Sequence, residues 1–109
     1  MKATIATTPS PPYYAVIFTS LRTAGENDYG KTAERMAELA QQQPGFLGME
    51  SVRIDLGITV SYWISEEAIR NWKQQSEHLL AQKRGKEIWY QSFKIRICKV
   101  ERDYGFEKF

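Results

Sequence analysis

His78 is the only histidine in the chain, and imidazole is the one side chain whose unperturbed pKa lies near neutrality. If this sequence carries a general base for work at pH 7, His78 is the first place to look; the alternative is a partly exposed helix residue beside Glu77. Trp63 and Trp72 flank the passage from a strand into a helix. A strand end and an inward helix face can bring both indoles to one cavity, as a flat aromatic lining or simply as core. Arg22, at the end of the first strand, can neutralise an anion or remain a solvated strand-end charge. Thr19 and Ser20 can donate a hydrogen bond to a ligand or to neighbouring backbone. Cys98, the single cysteine, reads as a small buried hydrophobe, and a disulfide framework or a cysteine-based zinc cluster is not expected.

The elements that would position these groups belong to one domain. The 109 residues are 42% hydrophobic and 13% aromatic, enough apolar surface for a folded core and too short a chain for two. A net charge of +2 without a basic stripe gives no support to nucleic-acid binding. Residues 1–12 are rich in Thr, Ser and Pro and read as a flexible N-terminal arm, with the domain at 13–109. The arm has no apolar run fit for a signal peptide or a membrane span, so a cytoplasmic protein with no membrane partner is expected.

Periodicity then sets the element order. Residues 13–21 are β-branched and aromatic, a strand covered on both faces. A helix follows, capped by Asn27 or Asp28 and carrying Tyr29, Ala33, Met36, Ala37 and Ala40 inward; Pro44-Gly45 stops it near Gln43. Residues 46–54 and 58–64 form a hairpin in which Gly57 supplies a positive φ. Ser65 caps a helix with Ala68, Ile69 and Trp72 inward, further helical turns run from Ser76 to about Gly85, and residues 90–100 form a last strand. This order predicts an α+β, ferredoxin-like βαββαβ sandwich with an antiparallel sheet. Its strands carry more apolar surface than two short helices can cover, so a second copy is expected over the rest.

Phe46-Leu47-Gly48 after Pro44-Gly45, then Tyr62-Trp63-Ile64-Ser65 with Glu67-Ala68-Ile69, Trp72 and Glu77-His78, resemble the antibiotic biosynthesis monooxygenase family of dimeric α/β-barrel proteins. The resemblance implies a homodimer whose sheets pack into a dimeric α/β barrel, with a pocket between sheet and helices in each protomer. It also implies a monooxygenase that uses molecular oxygen on a planar aromatic substrate, phenolic or polycyclic, with no cofactor: neither dedicated metal nor flavin. In that reading His78 is the catalytic base or orienter, and Trp63, Trp72 and Tyr62 line the cavity, with Ser20 and Arg22 as further substrate contacts. Relatives that bind or degrade haem supply the alternative: a non-catalytic dimer holding haem or another hydrophobic ligand, or a haem-degrading enzyme with His78 on the iron. The haem-degrading branch pairs a first-strand Asn with a helical Trp and His. Trp72 and His78 match, but residues 18–21 contain no Asn and the Trp72 to His78 interval is shorter than in that branch. Rossmann dehydrogenases, α/β-hydrolases and kinases are not expected; no G-x-G-x-x-G turn and no G-x-S-x-G elbow occurs.

Overall fold

A computed structural model describes residues 4–108. The elements run β1 (Tyr13–Arg22), α1 (Tyr29–Gln41), β2 (Phe46–Arg53), β3 (Leu56–Trp63), α2 (Glu66–Lys73), α3 (Ser76–Arg84), a π turn (Gly85–Trp89) and β4 (Tyr90–Val100). The four strands form one antiparallel sheet in the order β2-β3-β1-β4. This is the ferredoxin-like α+β fold, with the helices on one face. No helix among the described residues is long and apolar enough to cross a membrane.

Register decides which side chains meet. Pairing of Tyr14 with Trp63 and Lys99, and of Val16 with Ser61 and Ile97, puts Tyr14, Val16, Phe18, Ser20 and Arg22 on the helix side of β1. Trp63 sits at the centre of that side, fully buried with Ala68 and Ile69 of α2 and packed by Tyr14, Val16, Phe46 and Trp72. The opposite face carries Ala15, Ile17 and Leu21 of β1, Leu56, Ile58, Val60 and Tyr62 of β3, and Val52 of β2. Residues 4–12 reach one end of this open face, where the Ala6 N–H donates to Glu50 Oε2 at 2.9 Å and Thr8 Oγ1 bonds the Tyr13 hydroxyl at 3.0 Å. At the other end Leu21, Leu56 and Val52 are exposed.

Several local expectations need correction. Asp28 occupies the N-cap position of α1, but its backbone is left-handed at φ 64°, following Asn27 at 47°, and its side chain makes no capping bond. The double left-handed step brings Glu26 to the helix end instead, where Oε1 accepts the Gly30 N–H at 2.6 Å. Gly57 lies inside β3 without a positive φ; the hairpin turns at Ile54-Asp55, closed by the Ile54 N–H to Leu56 O bond at 3.2 Å. Cys98 is exposed, because its face of edge strand β4 is uncovered. The winding after Arg84 continues as a π turn, whose wider ring turns Trp89 inward; Trp89 is buried and its Nε1–H donates to Asn27 O at 2.8 Å.

Ser65 caps α2 through the Ala68 N–H at 3.1 Å, with Glu66 and Glu67 in the positive first turn. Urea unfolding of Ser65→Ala is expected to show a loss of about 1 kcal/mol, and of Trp63→Ala about 3–5 kcal/mol.

Candidate functional site

α2 and α3 are separated by only Gln74 and Gln75, and this tight junction folds the start of α3 back over the end of α2. Gln75 stabilises it by accepting the His78 N–H at 2.9 Å through Oε1. The imidazole of His78 therefore lies flat on the Trp72 indole, with centroids 4.0 Å apart and planes at 15°. Trp72 in turn stacks on Trp63 at 6.2 Å and 25°. A ladder of three rings thus runs from the sheet to the partly buried histidine.

The ladder also sets the state of the imidazole. His78 Nδ1 lies 2.9 Å from Trp72 O. A carbonyl oxygen only accepts, so Nδ1 carries the hydrogen and Nε2 of the neutral ring keeps its lone pair. Burial pushes the His78 pKa below its ordinary value of 6.5, more than the carbonyl bond raises it. No buried side-chain nitrogen or oxygen among the described residues lacks a partner, and Nε2 has no hydrogen-bond partner among those residues, so it keeps contact with solvent. A neutral, oriented, reachable imidazole can accept a proton at pH 7.

Beside the ladder the sheet is unroofed. Phe93, Ile95 and Ile97 of β4 pair with Ser20, Phe18 and Val16, on the helix side, yet they stay 36%, 48% and 54% exposed. Val16 packs in the same cluster as Trp72, so this apolar shelf and the ladder are contiguous.

The remaining sequence candidates divide into two places. Tyr62 is not brought to the ladder. It is the neighbour of Trp63 in a strand, where successive side chains point to opposite faces, and its hydroxyl donates to Glu50 Oε1 at 2.6 Å on the open face. Burial, and then the Glu50 carboxylate, push that phenol up to about 12. Ser20 and Arg22 lie together at the far end of β1. Ser20 is buried and its Oγ accepts from Arg53, while Arg22 stands 3.7 Å over the ring of Tyr29 and donates from Nε to Trp89 O at 3.2 Å. Sequence reasoning missed Arg53 and Tyr29. Only the hairpin register brings Arg53 toward Ser20, and nothing in the local pattern of either residue signals it.

One spacing bears on the expectation that this is not a kinase. Residues 25–32, Gly-Glu-Asn-Asp-Tyr-Gly-Lys-Thr, match the strand–loop–helix pattern of a phosphate-binding loop. The fold does not use them so: Glu26 takes the Gly30 N–H, Tyr29 N–H goes to Glu26 O at 2.8 Å, and Lys31 and Thr32 line an open groove of about 310 Å³ between α1 and α3. Among the described residues no group of three or more His, Cys, Asp or Glu is placed to hold a metal.

A family model described as antibiotic biosynthesis monooxygenase matches residues 12–84. The uncharacterised protein YqjZ of Bacillus subtilis (strain 168) is 50% identical over 106 residues, covering 95% of this chain and 93% of its own. Among solved structures, SnoaB from Streptomyces nogalater, described as a cofactor-independent oxygenase, superposes with a TM-score of 0.73 at 12% identity, over 85% of this chain and 97% of its own. Rv0793 from Mycobacterium tuberculosis superposes with a TM-score of 0.75 at 9% identity, over 85% and 99%. At such identities these two likenesses establish the fold.

The depressed pKa of His78 makes the unfolded chain the better proton acceptor on acidification. Its contribution to stability is present above pH 6.5 and is lost as pH falls through the lower folded value. Thermal melts from pH 7.5 to 5 should therefore show a destabilisation in the wild type that is smaller in His78→Gln.

Proposed function

The chain belongs to the antibiotic biosynthesis monooxygenase family, and we propose that it is a monooxygenase that uses molecular oxygen on a planar phenolic or polycyclic aromatic substrate. The observation that carries this reading is the His78 imidazole, neutral and oriented on Trp72 with Nε2 as its free base. The uncovered apolar surface of Ile97 and Ile95, contiguous with the ladder through Val16, offers a flat surface for the substrate ring. Trp72, already stacked with Trp63 and His78, acts as the base's support, and Trp63 as the core under it.

The chemistry needs only a proton acceptor and exclusion of water. His78 Nε2 takes the phenolic proton, and the resulting anion is electron-rich enough to reduce oxygen. A carbon–oxygen bond forms at the activated ring carbon and the oxygen–oxygen bond breaks. In an anthrone-type substrate the carbon loses two hydrogens and gains one oxygen as a carbonyl; the second oxygen leaves with those hydrogens as water, and the proton on His78 returns to that balance. Description of SnoaB as a cofactor-independent oxygenase of the same fold supports this class of reaction.

The working unit in this reading is a homodimer. Leu21, Leu56 and Val52 lie exposed on the open face beside half-buried Ile17, Ile58 and Val60, a continuous patch that a second copy would cover symmetrically. Sedimentation velocity should give a dimer for the wild type and a shift toward monomer for Leu56→Glu; a monomeric wild type contradicts this part.

Oxygen uptake with a panel of anthrone-type phenols tests the activity. His78→Ala is expected to lower turnover by about 10²-fold or more while the fold is kept. No uptake by the wild type with any member of the panel overturns the enzyme reading. A haemin Soret shift that is lost in His78→Ala, without uptake, would instead identify a haem-binding dimer.

A further inference from the structure

The helix-side end of β1 opposite the aromatic ladder holds two guanidinium groups around one phenol ring. Arg22 and Arg53 stand 3.7 and 5.9 Å from the centroid of Tyr29, both partly buried. Neither has a carboxylate partner: the ion pairs among the described residues are both made by Arg35, with Glu38 and Glu77. Glu26, the acid nearest Arg22 in sequence, is turned to the Gly30 N–H. Arg22 donates to the carbonyls of Trp89 and Gly25, and Arg53 to the carbonyl and hydroxyl of Ser20. Neutral acceptors orient these cations without neutralising them, and partly desolvated charge is costly until an anion meets it.

The space for Arg53 is built into the sheet. A Cβ on Gly57 would collide with the Arg53 guanidinium, so the glycine is the gap through which the side chain crosses β3 to reach Ser20. The other polar groups here also donate. Tyr90 gives its hydroxyl hydrogen to Tyr29 Oη at 3.0 Å, which leaves the Tyr29 O–H as a donor; among the described residues it, Arg22 Nη1 and Arg53 Nε donate no hydrogen bond. A ligand that only accepts hydrogen bonds and carries negative charge complements such a set. Next to it Phe18, Tyr90 and Phe93 form a triangle of rings with centroids 5.3–5.8 Å apart, open to solvent at Phe93.

We propose that Arg22, Arg53 and Tyr29 form a binding site for the carboxylate of an aromatic acid, whose ring rests on Phe93. This goes beyond oxygenation and does not depend on it, since neither a ligand's binding nor its charge preference requires turnover.

The test compares 2-naphthoate with its neutral amide by isothermal titration calorimetry. The wild type should bind the acid about tenfold more tightly than the amide, the effect of replacing neutral by charge-assisted hydrogen bonds. Arg53→Gln should abolish the preference. So should Gly57→Ala, which keeps every charge but displaces the Arg53 guanidinium by way of a flexible side chain, and so serves if Arg53→Gln fails to fold. Arg35→Gln, a distant ion-paired arginine on α1, should leave the preference intact. Equal affinity for acid and amide in the wild type, binding of neither, or a preference that survives Gly57→Ala overturns the proposal. A preference lost equally in Arg35→Gln overturns it too, by assigning the effect to overall charge.

Discussion

Everything at the helix side of this sheet depends on the burial of one indole. Trp63 is completely removed from solvent where β3 ends and α2 begins, gripped by Phe46 edge-on at 5.3 Å and by Ala68 and Ile69 from the helix. Its Nε1–H finds Ser61 Oγ at 2.9 Å, so the large apolar body is buried without stranding its polar atom. That fixed plane orients Trp72, and Trp72 orients His78 twice over, by its ring face and by its backbone carbonyl. The imidazole inherits the rigidity of the core although it sits on a short helix outside it.

The two ends of β1 consequently have opposite electrostatic characters. At the Tyr14 end the chain places a histidine in apolar surroundings that favour its neutral form. At the Arg22 end it concentrates cations, with Arg84 standing 5.3 Å over Trp89 in addition to the pair around Tyr29. Burial of Tyr90 raises its phenol far above the ordinary value, so its hydroxyl hydrogen stays in place as a donor to Tyr29. One end can accept protons from a ligand, the other can receive negative charge, and the uncovered part of β4 lies between them on the same face.

The element order and sheet class were legible because period-two and helical patterns are strong in residues 13–21, 66–72 and 90–100, and because Ser65 and Pro44-Gly45 act locally. What escaped was set by register or by neighbours distant in sequence. Asp28 holds the N-cap position but Glu26 supplies the side-chain acceptor for the first turn, because two left-handed residues intervene. Gly57 looked like a turn glycine, whereas its missing Cβ makes room for Arg53 on the way to Ser20. His78, Trp63 and Trp72 could be singled out by residue type and spacing. That Tyr62 faces away from them also follows from simple strand alternation, once Trp63 is known to be the inward residue.

His78 is held neutral, with its hydrogen on Nδ1 and a lone pair on Nε2. A long-range ¹H–¹⁵N correlation spectrum of the imidazole at pH 7.5 reads that state directly. A single neutral tautomer with Nδ1 protonated and Nε2 bare is expected. An Nε2-protonated ring, or an imidazolium at that pH, would contradict it.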